Sequence, residues 1–165
     1  MDALFAEFRK PLTSAEIEWK IATNKTGQNA TLVPYIDNRA VLNRLDKAFG
    51  PGGWQSTFVA CDGGFLCGIS ILIEGQWVWK WDGAGKSEIE PFKGGVSDAQ
   101  KRAAHQWGLG RELYSYPMIQ LKWEGENKKF IPYHVLPRLQ QMVEMITAGK
   151  FTRDYVLLNE SEGKK

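Results

Sequence analysis

Apolar residues follow two rhythms along this chain, every second position through the middle and every third or fourth position on either side of it. The segments WQSTFVA, FLCGISILI and QWVWKW carry the period of two and are separated by the turn signals CDGG and EGQ, which predicts three consecutive strands in an antiparallel meander. In the third strand Trp77, Trp79 and Trp81 share one face, and Val78 and Lys80 share the other. Helical spacing governs NRAVLNRLDKAF, where Val41, Leu42, Leu45, Ala48 and Phe49 form one stripe between an N-cap at Asp37 and a stop at Gly50 and Pro51. A longer helix is predicted over Gly94 to Tyr114, GGVSDAQKRAAHQWGLGRELY. There Val96, Ala99, Ala103, Trp107, Gly110 and Tyr114 make a small-residue stripe suited to lying on a sheet.

The flanks are sparser. IEWKIATN and ATLVPY, around the turn-like KTGQN, predict two more strands or extended arms. After Pro117 the pattern MIQLKWEG, the charged turn ENKK and then FIPYH predict a small hairpin. A last helix around Val135 to Ala148 presents Leu136, Leu139, Met142, Val143 and Ile146. The fold class expected is α+β: an antiparallel β-meander of three or more strands packed by a long helix in a β-β-β-α core, with an additional short N-terminal helix and a C-terminal hairpin and helix. No repeat or linker divides the chain, so one domain is expected over 1–158, with a frayed polar tail over 159–165.

Length and composition narrow the class. A chain of 165 residues with 43% hydrophobic and 12% aromatic residues can bury a core of its own. Its longest apolar runs are too short to cross a bilayer, and Asp2, Glu7, Arg9 and Lys10 stand where a signal peptide needs an apolar centre, so a cytoplasmic protein without membrane contact is expected. Cys61 and Cys67 match neither a zinc knuckle nor a redox dithiol, which predicts buried, reduced thiols. His105 and His134 are the only histidines and have no metal-ligand spacing; no Gly-x-Ser-x-Gly elbow occurs, and the acids are scattered. No catalytic residue, metal or cofactor is therefore expected, and a binding module is favoured. A net charge of +2 does not by itself establish a polyanion partner, so the clustering of the cations has to carry that argument.

One motif points to an enzyme. DGAGKSE ends like a phosphate-cradling P-loop and follows a strand, so a nucleotide-binding enzyme using DGAGKS is the alternative reading. Lys80 stands where that motif needs its first glycine, however, and Pro91 and Gly94-Gly95 interrupt the helix it should launch. The other reading is that Gly83 and Gly85 let the strand bulge. On the long helix Asp98, Lys101, Arg102 and His105 lie away from the apolar stripe, with Lys93 just ahead. They form either a solvated charged face or a row suited to phosphates. Arg39, in the first turn of its helix, sits at the positive end of the dipole. Either Asp37 neutralises it or an external anion does. The tryptophan row reads as core or subunit interface, with base stacking as the alternative.

In order along the chain, PYIDNRAVLNRLDKAFGPGGW at 34–54, the WDGAGKSE turn and GGVSDAQKRAAHQWGLGRELY at 94–114 resemble the annealing domain of the Rad-fifty-two/Rad-twenty-two recombination family, in its compact bacterial and phage form. The resemblance spans about half of the chain. It implies single-stranded DNA bound in a basic groove around a homo-oligomeric ring, annealing without nucleotide hydrolysis, and a single-strand-binding protein or a recombinase as a further candidate partner. Position by position it implies DNA-binding roles for Arg39, Lys93, Lys101 and Arg102, and for His105 where the family often has arginine. An imidazole there makes a weaker or pH-sensitive phosphate contact. The segment IEPFKGG is short compared with relatives, which puts a second DNA site in doubt.

Overall fold

The computed structural model describes residues 2–25, 28–86, 90–124 and 129–161. The chain divides into two compact units: Met1–Pro11 with Ile36–Arg111, and Leu12–Tyr35 with Glu112–Lys165.

The first unit holds the expected β-β-β-α core. Strands β3 (Trp54–Cys61), β4 (Gly64–Ile73) and β5 (Gln76–Gly85) form an antiparallel sheet in the order β3-β4-β5, and helix α3 (Pro91–Gln106) lies on one face. Alternation directs Phe65, Cys67, Ile69 and Ile71 of β4 into the core, against Ala99, Ala103, Ala104 and Trp107. The Trp107 indole donates to the Ile69 carbonyl at 3.0 Å, which fixes helix against strand. The helix ends earlier than its apolar stripe predicts. Gly108 and Gly110 take positive φ of 108° and 71°, which unwinds the chain after Gln106, and a 3-10 turn over Arg111–Ser115 follows, leaving Tyr114 80% exposed. The thiols also differ from each other. Cys67 is buried and desolvation pushes its pKa up to about 12, whereas Cys61 is exposed.

Helix α2 (Asn38–Phe49) is capped as expected, by Asp37 at one end and Gly50 at the other. The short N-terminal helix, α1 (Asp2–Phe8), packs on it through Phe5 and Phe8 against Phe49. Buried Arg44 donates to the carbonyls of Glu7, Lys10 and Pro11, filling acceptors that the end of α1 leaves open.

In the second unit β1 (Ile17–Thr23), β2 (Ala30–Ile36), β6 (Met118–Lys122) and β7 (Tyr155–Asn159) form a sheet in that order. The C-terminal strand and helix are present, with α4 spanning Leu136–Thr147 and burying Leu139, Met142 and Val143. The partners of β6 are antiparallel β2 and parallel β7 rather than a hairpin mate. FIPYH is a bend and a 3-10 turn: Pro132 lacks a ladder donor, and Phe130 is exposed. The parallel pair needs a crossover, and α4 is that crossover. Asn159 closes β7 and Glu160 is only 1% exposed, so ordered chain continues into the segment read as a polar tail; residues 162–165 lie outside the described ones. No helix among the described residues is long and apolar enough to cross a membrane.

Within the first unit, Glu7 bridges to Lys10 and, at 2.8 Å, to Lys47 of α2. Hydrogen bonds from the two lysines lower its pKa from the ordinary 4.5 to about 2. A depressed carboxylate adds stability above its unfolded pKa and loses it as pH falls through the folded one, so the melting temperature should drop between pH 4.5 and about pH 2. Glu7→Gln is expected to flatten that drop in a thermal-melt series. An unchanged acid limb would show that this link contributes nothing.

Candidate functional site

All five candidate positions lie on the first unit, on α2, on α3 and at the start of α3. Arg39 is 84% exposed, and its Nε lies 2.7 Å from Asp37 Oδ2. The Asp37 carboxylate also accepts from the Arg39 backbone N–H at 3.0 Å, and that bond, followed by the guanidinium, holds its pKa below the usual range. Lys93 stands in the first turn of α3 and is bridged to Glu90 at 3.4 Å. Lys101 meets Asp98 one turn earlier at 2.6 Å. Arg102 reaches across to β5, with its Nε 3.0 Å from Asp82 Oδ1. His105 is half-buried, with Nδ1 3.3 Å from the Leu109 carbonyl. Each of the four predicted cations thus carries a carboxylate partner. The pairs on Asp37, Glu90 and Asp98 lie at the surface, where such pairs are worth about 0–1 kcal/mol, so a phosphate can displace those three acids at little cost.

What joins these positions is a side-chain bond between helices. Asn38 Nδ2 donates to Gln100 Oε1 at 2.9 Å, and Gln100 is buried. Asn38 precedes Arg39 and Gln100 precedes Lys101, so cations more than sixty residues apart in sequence stand on helices tied at adjacent positions.

Asp82 is the best-held acid of the group. Its carboxylate accepts from Arg102 Nε at 3.0 Å, from Gln106 Nε2 at 2.7 Å and from the Gly83 N–H at 2.7 Å. Burial pushes its pKa up, but the bonds from Gln106, Gly83 and Arg102 outweigh this and leave it below the ordinary value. The DGAG segment is therefore part of the sheet. Its residues pair in unbroken register from Cys67↔Asp82 to Gly64↔Gly85, with neither a bulge nor a loop open around phosphates. Residues 87–89, including the serine of the motif, lie outside the described ones.

The tryptophan row is on the face of the sheet opposite α3. Trp77, Trp79 and Trp81 are 42%, 38% and 44% exposed, so they are not core, and the rings of Trp79 and Trp81 stack at 5.7 Å. Register places Val59, Leu66 and Leu72 on the same face, and the positions of β3, β4 and β5 that share it carry no charge.

Comparison with known proteins identifies the family. The family described as Rad52/22 family double-strand break repair protein matches residues 1–130. The chain belongs to the Rad52/22 family. It is similar to the single-stranded DNA-binding protein DdrA of Deinococcus radiodurans, 31% identical over 134 residues, and to that of Deinococcus deserti, 28% identical over 130. The matches cover 79% and 77% of this chain, and the chain spans 62% and 64% of the length of these two relatives.

The Rad52/22 match contains three further cations that sequence reading did not place in the site. Lys80 Nζ donates to the Gln106 carbonyl at 3.0 Å, Arg111 donates to the carbonyls of His105 and Gln106 at 3.0 and 2.8 Å, and Arg9 Nε donates to that of Trp107 at 2.9 Å. All three therefore gather on the carboxyl end of α3, the negative end of its dipole. The preference for cations after a last helical turn could have found Arg111, had the helix been ended at Gln106 rather than carried through to Tyr114. Nothing local marks Arg9 or Lys80.

Asp82 carries the packing of α3 on β5 in its polar part. Asp82→Ala is expected to lower stability by about 1–2 kcal/mol, since the bonds it accepts are partly shielded from water. Asp82→Asn keeps an acceptor and is expected to lose less. Urea midpoints of the two variants measure the difference, and equal midpoints for wild type and Asp82→Ala would remove the clamp.

Proposed function

We propose that this protein binds single-stranded DNA through the sugar-phosphate backbone and anneals complementary strands without ATP, as an oligomeric ring, in recombination and repair. The observation that carries the reading is the Asn38–Gln100 bond, which ties the Arg39 helix to the Lys101 and Arg102 helix inside the region matched to the Rad52/22 family. Arg39, Lys93, Lys101 and Arg102 hold phosphates, and His105 adds a weaker contact. Phosphate contacts position a strand without reading its sequence, and they leave the base edges free to test a second strand. The names of the DdrA relatives support the same class of ligand. With Asp82 to Gly85 paired in the sheet, the described residues of the motif form no phosphate cradle, which supports strand annealing over nucleotide hydrolysis. A single-stranded DNA ligand supports a cytoplasmic location in a bacterial or phage-infected cell.

Ring formation rests on the uncharged face of the meander. A sheet face with three exposed tryptophans and no charge suits an apolar protein surface better than a phosphate chain. A second copy of the chain docks there head to tail, and rotational closure makes a ring. Repetition of a modest site along one strand then raises avidity steeply.

Annealing of complementary oligonucleotides, without ATP or metal, tests the groove. Wild type is expected to anneal, while Arg39→Ala and Lys101→Ala/Arg102→Ala slow the reaction about tenfold or more, and Lys86→Ala has no effect. The log-log salt slope of binding should lose about 0.7 for each phosphate contact removed. Undiminished annealing by folded, oligomeric variants would end the groove assignment. For the ring, light scattering is expected to find a discrete assembly that Trp77→Asp/Trp79→Asp breaks into smaller species; an assembly of unchanged mass would place the interface elsewhere.

A further inference from the structure

Positive charge in the first unit is handled in two ways. Arg39, Lys93, Lys101 and Arg102 each rest on a carboxylate. Arg9, Lys80 and Arg111 do not: among the described residues no Asp or Glu pairs with any of them, and they share the three carbonyls of His105, Gln106 and Trp107. Two full cations meet on a single oxygen, that of Gln106. A helix carboxyl end carries roughly half a negative charge, which one cation satisfies. Three leave a surplus that repels itself in partly desolvated surroundings. The Lys80 amine responds accordingly, its pKa pulled down first by burial and then by repulsion from Arg111 and Arg9.

Packing holds the three cations in place. The Lys80 ammonium sits 4.6 Å from the centre of the Trp107 ring, and the Arg9 guanidinium 5.0 Å from that of Phe5. Gly108 admits Arg9, since a Cβ there would lie 2.8 Å from its Nε. The cluster is also continuous with the predicted groove. Gln106, whose carbonyl takes Lys80 and Arg111, gives its side-chain amide to Asp82, and Asp82 holds Arg102.

We propose that Arg9, Lys80 and Arg111 form a phosphate-binding site at the carboxyl end of α3 that extends the single-strand track beyond Arg102. The proposal rests on the single-stranded DNA reading above and adds residues to it. Its ligand is a phosphodiester oxygen pair, which offsets the surplus charge and which an arginine fork is shaped to take. Because these cations have no acid to displace among the described residues and are already ordered, they contribute more per contact than the carboxylate-paired ones.

The test is the salt dependence of oligonucleotide binding by the full chain, for wild type, Arg9→Gln, Arg111→Gln and the double variant, with a thermal melt of each. Each single change is expected to reduce the log-log slope by about 0.7 and to weaken binding at low salt by about threefold to tenfold. An amine-acylating reagent applied to wild type gives a second readout that needs no substitution: an oligonucleotide is expected to shield Lys80, and inorganic phosphate at equal phosphate concentration to shield it far less. Wild-type slope and affinity in both folded variants, or a Lys80 that phosphate shields and the oligonucleotide does not, would overturn the extended track. If those results came with a loss of binding in Lys101→Ala/Arg102→Ala, the groove reading would stand and only this extension would fall. A wild type that binds no oligonucleotide would remove both.

Discussion

A helix can lie this close to the meander only because its buried face is nearly bare of side chains. Ala99, Ala103 and Ala104 are fully enclosed, and at Gly95 a Cβ would come within 2.6 Å of the Phe65 ring. Larger residues there would lift α3 off β4 and β5, as overpacking does in any dense core. The short distance brings β5 side chains within reach of the helix: Asp82 to Arg102 and Gln106, Lys80 to the last carbonyls. The charge arrangement of the candidate site is thus a consequence of close apolar packing. Polar contacts fine-tune a geometry that alanines and glycine permit.

On that base the protein keeps two populations of cations. Those bridged to acids form pairs with little net charge, and a polyanion must exchange with an internal carboxylate to use them. Those on carbonyls remain charged. Under the proposed function, a mixture of this kind would hold a long strand through many weak, exchangeable contacts and let it rearrange, which annealing requires and which a tight, fixed grip would prevent.

The two faces of the meander are also divided. One receives α3 and its cations; the other presents uncharged residues with three exposed tryptophans. A strand held on the α3 side cannot lie on the tryptophans at the same time, because the sheet stands between them. Under the proposed groove, stacking of bases on this row is therefore disfavoured relative to protein contact.

Much of this was legible from local pattern. The three strands, the Asp37 and Gly50 caps of α2 and the alanine stripe of α3 follow from periodicity and capping chemistry, which neighbouring residues determine among themselves. Even the motif order that resembles a recombination family is a one-dimensional property. The end of α3 at Gln106 was missed because an apolar stripe says nothing about two glycines taking positive φ. Only the tertiary structure decided that β6 pairs with β2 and β7, that Asp82 answers Arg102, and that Arg9, Lys80 and Arg111 converge on one helix end. Those pairings join residues 20 to 98 positions apart in the cases of Asp82 with Arg102 and Arg9 with Trp107. No local propensity encodes such contacts. They arise when hydrophobic packing brings whole elements together, and the charges then find whichever partner that packing leaves within reach.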